Sequence, residues 1–388
     1  MTQHHRANRV LTPGQRSVAN PTTSPSSAAG VRARHAEAAP PDDDRLPNNR
    51  NSLNAIRLVL ALVVVVSHVP KIRGGDPIAI GDLEIGGWAV AGFFALSGWL
   101  VTQSRLRLSM GRFLWRRALR IFPGFWACLL TTAFVAAPIS AILGPGSWRP
   151  ITAARYVFSN IALYIAQPTI GNSLAGRPDT TTWNLSLWTL SYEFACYLGI
   201  GLLLSLAVAR RRPAVTAIAF VAVVLVHAVL VYGGTERDTT LQLAFRLASF
   251  FLAGAFLRRF QNIRLTMPGA IAALVILAFA AHFGQVRVLA ALPMAYLCLW
   301  LARVLPFHKL GRRNDISYGM YVYAFPVQQL LTYTPMAKWH TIPLALLSMA
   351  AVTPLAFLSW RFIEQPTLRF KSATWPSRNR RISSAAPR

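Results

Sequence analysis

The chain has 388 residues, of which 54% are hydrophobic and only 14% are charged, and its formal net charge is +27. A soluble domain of this length would carry roughly a quarter charged residues, so the composition excludes one large soluble domain and indicates a membrane protein. The positive charge lies in short segments between apolar runs and in both tails, which is typical of topology signals and headgroup contacts, so we predict membrane lipids as partners and no nucleic acid.

Neither end of the chain contains an apolar run. The first fifty residues are rich in Pro, Ser, Asn, Arg and Asp, and they lack the apolar segment of a signal peptide. With so little apolar surface to bury, residues 1–50 are predicted to form a disordered tail. Residues 367–388 are predicted to form a second, basic tail of the same kind. A single membrane domain is expected between them, over residues 51–366.

Apolar runs of about 17–25 residues follow one another through that domain, and this length crosses a hydrocarbon core of about 30 Å. We therefore predict an all-α bundle of about ten transmembrane helices. The predicted spans are residues 52–70, 86–104, 119–143, 186–209, 214–232, 240–257, 268–284, 286–304, 316–333 and 342–363. A further apolar stretch, 151–167, contains Arg155 and Asn160, which favours an interfacial or re-entrant helix over an eleventh span.

The loops between the predicted spans differ in charge. Those after spans two, four, six and eight are rich in Arg and Lys, whereas those after spans five and nine are poor in cations. Cation-rich loops stay in the cytoplasm. Because both tails are also basic, both termini are predicted to be cytoplasmic, which requires an even number of spans and agrees with ten.

Span one contains two polar residues whose presence in an apolar run is unfavourable and indicates a structural or functional role. A charge at bilayer depth costs at least about 2.5–3.5 kcal/mol on insertion scales. Arg57 and His68 are eleven positions apart, close to three helical turns, so they share one face of the helix. A shared face favours a functional pair that lines a cavity. The alternatives are a snorkelling cation that fixes topology at Arg57 and a hydrogen-bonded packing residue at His68.

Span four carries Glu193 about two turns inside, at a depth that we predict to match His68. A carboxylate there must be paired or protonated. A contact between His68 and Glu193 would satisfy both groups and would orient the imidazole as a base. A buried structural pair with no catalytic part is the alternative.

A basic segment begins span three. Arg112, Arg116 and Arg120 recur at i, i+4 spacing, and Arg117 lies three positions before Arg120, so one helix face at the cytoplasmic boundary is strongly positive. Headgroup attraction is one explanation. The other is a site for an anionic cofactor with several phosphates, in which Arg116, Arg117 and Arg120 bind those phosphates. The three cysteines lie in apolar runs without metal-ligand spacing, so no metal site is predicted.

Six motifs of the chain are informative together. They are NAIRLVLALVVVVSH, AGFFALSGWLV, FLWRRALRIFP, NLSLWTLSYEF, DISYGMYVYAFPVQQ and FIEQP, in that order between residues 51 and 366. In sequence and order they resemble the acyltransferase 3 family of bacterial membrane O-acyltransferases. The resemblance implies a multi-pass inner-membrane enzyme that acylates hydroxyls of surface glycans or antibiotics, with acetyl-CoA as the usual donor.

The resemblance also implies roles for single residues. His68 matches the family's essential histidine, and Arg57 matches its partner arginine. Arg117 and Arg120 match an Arg-x-x-Arg pair that binds the phosphates of the donor. Further matches are Glu193 at the acidic position of the WTLxYE segment and Ser97 and Gly98 in the SG element, and we include Ser97 among the donor-site residues.

The chain departs from the family pattern at a few positions. Ala324 stands where many members carry His, and Leu185 and Ser191 stand for Gly and Pro. These changes bear on the acceptor geometry rather than on the class of enzyme.

The expected mechanism has acyl-CoA as donor and a carbohydrate hydroxyl as acceptor, with His68, oriented by Glu193, as general base. A covalent acyl-histidine relay is an alternative route. Two other classes remain open at this stage: a transporter that uses the intramembrane Arg, His and Glu as a substrate or proton path, and a scaffold for glycan assembly.

Overall fold

The structure is a computed structural model that describes residue 46 and residues 51–234 and 238–372. These residues form an α-helical bundle, with a two-stranded antiparallel hairpin as the described β-structure. Its strands are β1 (Ala79–Ile80) and β2 (Leu83–Glu84). The prediction of an all-α fold is therefore confirmed.

The first half of the bundle contains one very long helical segment, in which α3 continues through a π-helical stretch (Thr132–Ala136) into α4. The helices are α1 (Leu53–Ile72), α2 (Ile85–Arg107), α3 (Met110–Thr131), α4 (Ala137–Leu143), α5 (Pro150–Asn160), α6 (Thr189–Leu203) and α7 (Ala207–Arg211).

The second half continues in the same way and ends in short helical turns. The helices are α8 (Pro213–Tyr232), α9 (Thr240–Arg259), α10 (Met267–His282), α11 (Val286–Leu289), α12 (Ala291–Val304), α13 (Ser317–Leu331), α14 (Thr341–Ser359) and α15 (Gln365–Thr367). A 3-10 turn (Pro335–Lys338) precedes α14, a π-helical stretch (Trp360–Glu364) follows it, and a 3-10 turn (Leu368–Ser372) ends the described chain.

Within the described residues, six helical segments are long and apolar enough to cross a membrane, and the chain is a membrane protein. Each of the ten predicted spans contains at least one helix, but four of those helices have only 14–16 residues: α6, α10, α12 and α13. The number of crossings and the orientation stay predictions. Predicted span 286–304 is interrupted at Ala290, which joins α11 to α12.

The stretch predicted to be an interfacial or re-entrant helix is helical only as far as Asn160. The buried Asn160 amide donates to the carbonyl of Gln167 at 2.8 Å and accepts from its N–H at 3.0 Å, so it closes the following loop. Because this side chain binds the backbone of the loop, the chain turns instead of continuing the helix.

Most residues of the predicted tails, 1–45, 47–50 and 373–388, lie outside the described residues. The first residues of the predicted C-terminal tail are ordered, because the 3-10 turn after α15 packs against α3, where the indole N–H of Trp115 donates to the Phe370 carbonyl at 3.1 Å. The folded domain therefore extends past 366, the predicted boundary.

Two glycines set the closest helix contact in the bundle. A Cβ at Gly98 of α2 would lie 1.8 Å from the Phe251 carbonyl oxygen, and a Cβ at Gly254 of α9 would lie 1.9 Å from the Ala95 carbonyl oxygen. The two backbones therefore touch, as small residues allow in membrane bundles. This contact fixes the position of Ser97, which precedes Gly98.

Helix α13 lies at the centre of the bundle, because 12 of its 15 residues are buried. A helix that is apolar on all sides is typical of such a position. By contrast, α8 buries only Thr216 and His227 among its 20 residues, so it lies at the periphery. Helix α13 packs against α1, where the amide nitrogen of Gln328 donates to the Val65 carbonyl at 2.9 Å and the His68 ring packs against Phe325.

Candidate active site

One end of the bundle, which we call the basic end, is formed by the loops around residues 108–109, 204–212, 260–266 and 305–316. Arginines there bind the carbonyl oxygens of neighbouring loops. Arg210 donates to Leu106, and Arg303 donates to Leu265 at 2.8 Å. These contacts bring the cation-rich loops of the sequence to the same side of the protein.

A cavity of about 90 Å³, which we call the arginine cavity, lies inside this end of the bundle. The polar residues that line it come from five helices, α1, α2, α3, α6 and α13, which are far apart in sequence. They include Arg57 of α1, Ser97 of α2, Arg117 and Arg120 of α3, and Glu193 and Tyr197 of α6. Arg116 lies on the same helix as two of them but does not line this cavity.

Asp315, just before α13, holds two of these arginines. Its Oδ2 lies 3.0 Å from Arg57 and 2.5 Å from Arg120, and all three side chains are mostly buried. Burial alone would raise the pKa of Asp315, but the charges of Arg57 and Arg120 outweigh burial and hold this pKa well below its usual range. Arg120 also lies 3.9 Å from the buried Glu364.

Arg117 differs from its neighbours because it forms no ion pair within the described part of the chain. Its guanidinium instead lies 6.0 Å from the centre of the Tyr197 ring. A cation over an aromatic face is attracted but not neutralised. Arg117 is therefore the cavity arginine that is most available to an anionic ligand.

Glu193 is satisfied by two hydroxyl groups rather than by a cation. Its Oε1 accepts from Ser97 Oγ at 2.9 Å and from Tyr197 OH at 2.5 Å. Tyr197 follows Glu193 by four positions, which puts both on one face of α6. Ser97 reaches them from α2.

His68 lies in a different cavity, of about 320 Å³, which we call the histidine cavity. The ring is 8% exposed and packs edge-on against Phe325, with 5.0 Å between ring centres. Its Nδ1 is buried and has no hydrogen-bond partner within the described residues. The ring lines the cavity, so Nε2 is the nitrogen that is accessible from it.

The predicted contact between His68 and Glu193 is wrong. Ser67, the neighbour of His68, packs against Gly86 at the start of α2, whereas Glu193 binds Ser97, eleven positions further along α2. At 1.5 Å per residue these two places on α2 are about 16 Å apart along the helix axis.

The physical reason for the error is where α6 begins. The residues before it do not form the first turns of a span but enter the bundle as an irregular segment, in which Asn184 donates to the carbonyl of Val322 at 2.7 Å. Helix α6 therefore starts within the bundle, at Thr189, and carries Glu193 deeper than a span from residue 186 would.

The two cavities share one wall, formed by Val90, Thr189 and Tyr321. The Tyr321 hydroxyl donates to the carbonyl of Ser186 at 2.9 Å and lies 2.5 Å from the Thr189 hydroxyl. These bonds hold the ring between the arginine cavity and the histidine cavity. We call these three residues the partition.

The histidine cavity contains a charged group that the sequence analysis missed. Arg246 and Arg287 line it and bind Asp238, at 3.0 Å and 2.6 Å to Oδ1, and Arg287 also lies 3.6 Å from Asp82. Burial tends to raise the pKa of Asp238, but the hydrogen bond from Arg287 and the charge of Arg246 lower it below its usual value. A signal was present, because Arg246 is a charge inside an apolar span, as Arg57 is.

Asp315 and Tyr321 were also missed as site residues. Both belong to the DISYGMYVYAFPVQQ motif, which indicated a family resemblance but no individual site residue. Nothing in the local pattern indicates that Asp315 pairs with arginines more than 190 positions earlier in the chain.

Comparison with known proteins agrees with the resemblance. Residues 50–361 match the family model described as Acyltransferase domain, which corresponds to the acyltransferase 3 family. An O-acetyl transferase of Shigella phage Sf6 is 30% identical over 335 residues, which cover 81% of this chain and 95% of the phage protein. Nodulation protein 10 of Rhizobium leguminosarum bv. viciae is 28% identical over 369 residues, which cover 86% and 97% of the two chains. No solved structure matches the chain.

Proposed function

The chain belongs to the acyltransferase 3 family and is a membrane O-acyltransferase, and we propose that it moves an acetyl group from acetyl-CoA to a hydroxyl of a cell-surface carbohydrate. The acetyl group is suggested by the name of the phage relative. In this proposal the protein lies in a bacterial inner membrane, with the basic end and both termini in the cytoplasm, where acetyl-CoA is present.

The donor site in this proposal is the arginine cavity. Arg117 and Arg120 bind the phosphates of CoA, Arg57 stands at the same opening, and Ser97 and Glu193 line the path of the pantetheine arm. Arg117 supports this assignment because it lies among three cavity arginines and forms no ion pair within the described residues. Guanidinium groups suit phosphates because they offer several donors in a fixed fork.

The acceptor site in this proposal is the histidine cavity. Its lining of charged and polar groups can donate to and accept from the hydroxyls of a sugar. His68 acts as general base through Nε2, the nitrogen accessible from the cavity.

The chemical step needs only one base. As the acceptor oxygen attacks the thioester carbonyl, its proton passes to Nε2 of His68, and the carbon–sulfur bond then breaks. The proton moves from His68 to the departing thiolate, so that the products are the acyl ester and free CoA. A site inside the membrane excludes bulk water, which limits wasteful hydrolysis of the thioester.

One observation carries the proposal: the arginine cavity and the histidine cavity meet at the partition. A donor that enters from the basic end and an acceptor that enters from the opposite end can therefore meet next to His68. Because the partition lies between the two cavities, transfer requires it to move.

The proposal is tested with His68→Ala in the strain that carries the gene. Surface glycans from the wild type, a deletion strain and the variant are compared by mass spectrometry for the mass of one acetyl group per unit. Purified protein in nanodiscs is assayed in parallel for release of CoA thiol from labelled acetyl-CoA. We expect the deletion and His68→Ala to lack the modification.

The matched control is His227→Ala, because His227 is also a buried histidine but does not line the histidine cavity. This variant should retain the modification. Full modification in His68→Ala, with normal protein levels, would contradict the proposed mechanism. Movement of a solute without release of CoA would instead favour a transporter.

A further inference from the structure

His68 and Gln328 each hold a buried polar atom that has no hydrogen-bond partner within the described residues. The atoms are Nδ1 of His68 and Oε1 of Gln328, and the Gln328 side chain is 0% exposed. An unpaired buried polar group is unfavourable, and native proteins contain few of them. Two such atoms in one part of the bundle therefore need an explanation.

Both side chains lie where α1 packs against α13. The amide nitrogen of Gln328 donates to the Val65 carbonyl at 2.9 Å, and Val65 precedes His68 by three positions on α1. The His68 ring packs against Phe325, which precedes Gln328 by three positions on α13. Because residues three apart lie on the same helix face, both side chains are directed into the same part of this contact.

We propose that Gln328 is a positioning residue for His68, whose Nδ1–H donates to the amide oxygen of Gln328 in the working enzyme. The inference rests on the proposed function, in which Nε2 of His68 takes the proton of the acceptor. A neutral imidazole has one N–H donor and one acceptor nitrogen, and an amide oxygen only accepts. The bond fixes the tautomer whose lone pair is on Nε2, as a general base requires.

The geometry leaves this role open to Gln328. Its bond to Val65 uses only the amide nitrogen, so the amide oxygen remains for His68. Glu193, the residue that the sequence suggested for this role, binds Ser97 and Tyr197 instead.

The charged groups around His68 do not fill the role either. They line the cavity and not the buried side of the ring on which Nδ1 lies. They are Lys71, Glu84, Asp238, Arg246 and Arg287.

The test compares Gln328→Leu and Gln328→Glu with the control Gln329→Leu. Gln329 is the next residue on α13, is also 0% exposed and also has an unpaired Oε1, but its amide nitrogen binds the carbonyls of Asp179 and Thr182. The two leucine variants therefore remove a buried amide of the same size from adjacent positions. Acyl transfer is measured in nanodiscs as kcat, donor KM and the pH profile of kcat/KM, together with thermal unfolding.

Gln328→Leu should lower kcat about tenfold or more while donor KM changes little, because a base in the wrong tautomer loses proton transfer and not donor binding. Gln328→Glu keeps an acceptor at the same place, so it should recover much of kcat. Its negative charge beside Nδ1–H should move the acidic limb of the pH profile to higher pH, because it makes the imidazole more basic. Gln329→Leu should lower the unfolding temperature by about as much as Gln328→Leu does. It should leave the acidic limb of the pH profile at its wild-type position.

The proposal is overturned if Gln328→Leu and Gln329→Leu reduce kcat equally and the limb of Gln328→Glu coincides with that of the wild type. If Gln328→Leu does not fold, the acidic limb of the pH profile of kcat/KM for Gln328→Glu decides between the two outcomes. A limb at higher pH than in the wild type supports the positioning role, and an unshifted limb overturns it. Transfer that persists in His68→Ala would refute the proposed function itself. If acyl transfer is lost in His68→Ala but the Gln328 variants have the kcat and pH profile of the wild type, only the positioning role is refuted.

Discussion

Asp315→Asn is the most informative substitution for the stability of the site. The carboxylate holds Arg57 and Arg120 through one oxygen, at 3.0 Å and 2.5 Å, and the three side chains are between 13% and 21% exposed. Asparagine has the same shape but no charge, so Arg57 would lose its ion-pair partner and Arg120 would keep only the longer contact with Glu364 at 3.9 Å. Removal of one partner from a buried ion pair costs about 3–5 kcal/mol, and because these groups keep some solvent contact we expect about 3 kcal/mol.

The loss would appear as a lower unfolding temperature of the purified protein in detergent, followed by circular dichroism at a fixed heating rate. At an unfolding entropy of about 2.1 cal/mol/K per residue, a loss of about 3 kcal/mol corresponds to roughly 4–5 °C for a folded domain of about 320 residues. The control is Asp179→Asn, because Asp179 is a buried aspartate that forms no ion pair within the described residues and accepts hydrogen bonds from Thr181. Its unfolding temperature should fall much less.

The dependence on pH follows from the lowered pKa of Asp315. A carboxyl group whose pKa is lower in the folded than in the unfolded state stabilises the fold at every pH above its unfolded pKa, and this stabilisation is lost as pH falls through the folded pKa. The difference in unfolding temperature between the wild type and Asp315→Asn, which we call the gap, should therefore stay constant between about pH 5 and 8. Equal unfolding temperatures for the two asparagine variants, or a gap that closes between pH 8 and 5, would refute this account of the ion pairs.

Three further predictions concern donor binding, packing and the partition. Arg117→Ala should raise the KM for acetyl-CoA about 10- to 150-fold, because a charge-assisted hydrogen bond contributes about 1.5–3 kcal/mol. The exposed Arg112→Ala should leave this KM unchanged. Equal KM values for the two variants in steady-state assays would contradict phosphate binding by Arg117. Gly98→Ala should prevent folding, because its Cβ would lie 1.8 Å from the Phe251 carbonyl oxygen. Size-exclusion chromatography should then show no folded protein. A monodisperse peak like that of the wild type would show that α2 and α9 do not touch there. Tyr321→Ala should open the partition, so that acetyl-CoA is hydrolysed several-fold faster when no acceptor is present. Tyr321→Phe should have a smaller effect. Unchanged release of CoA thiol would mean that Tyr321 does not separate the two cavities.

The sequence was a good guide wherever the property in question is local. Apolar runs and helical spacing predicted the all-α bundle, because the length and periodicity of a segment depend only on neighbours along the chain. The cost of a charge inside an apolar run singled out Arg57. Arg57 and His68 line two different internal cavities, however, and not the single cavity that their common helix face suggested. The same cost, applied to Arg246, would have led to the charged group of the histidine cavity.

Partners that lie far apart in the chain were decided only by the tertiary structure. The depth of Glu193 depends on an irregular segment that enters the bundle before α6, and no periodicity encodes where such a segment turns. For the same reason Asp315, and not a residue near them in sequence, neutralises Arg57 and Arg120. The sequence by itself determined which residues are too polar to lie in a membrane without a partner. Helix packing chose the partner of each, because a buried charge or hydrogen-bonding group can be satisfied by any complementary atom that the fold brings within reach.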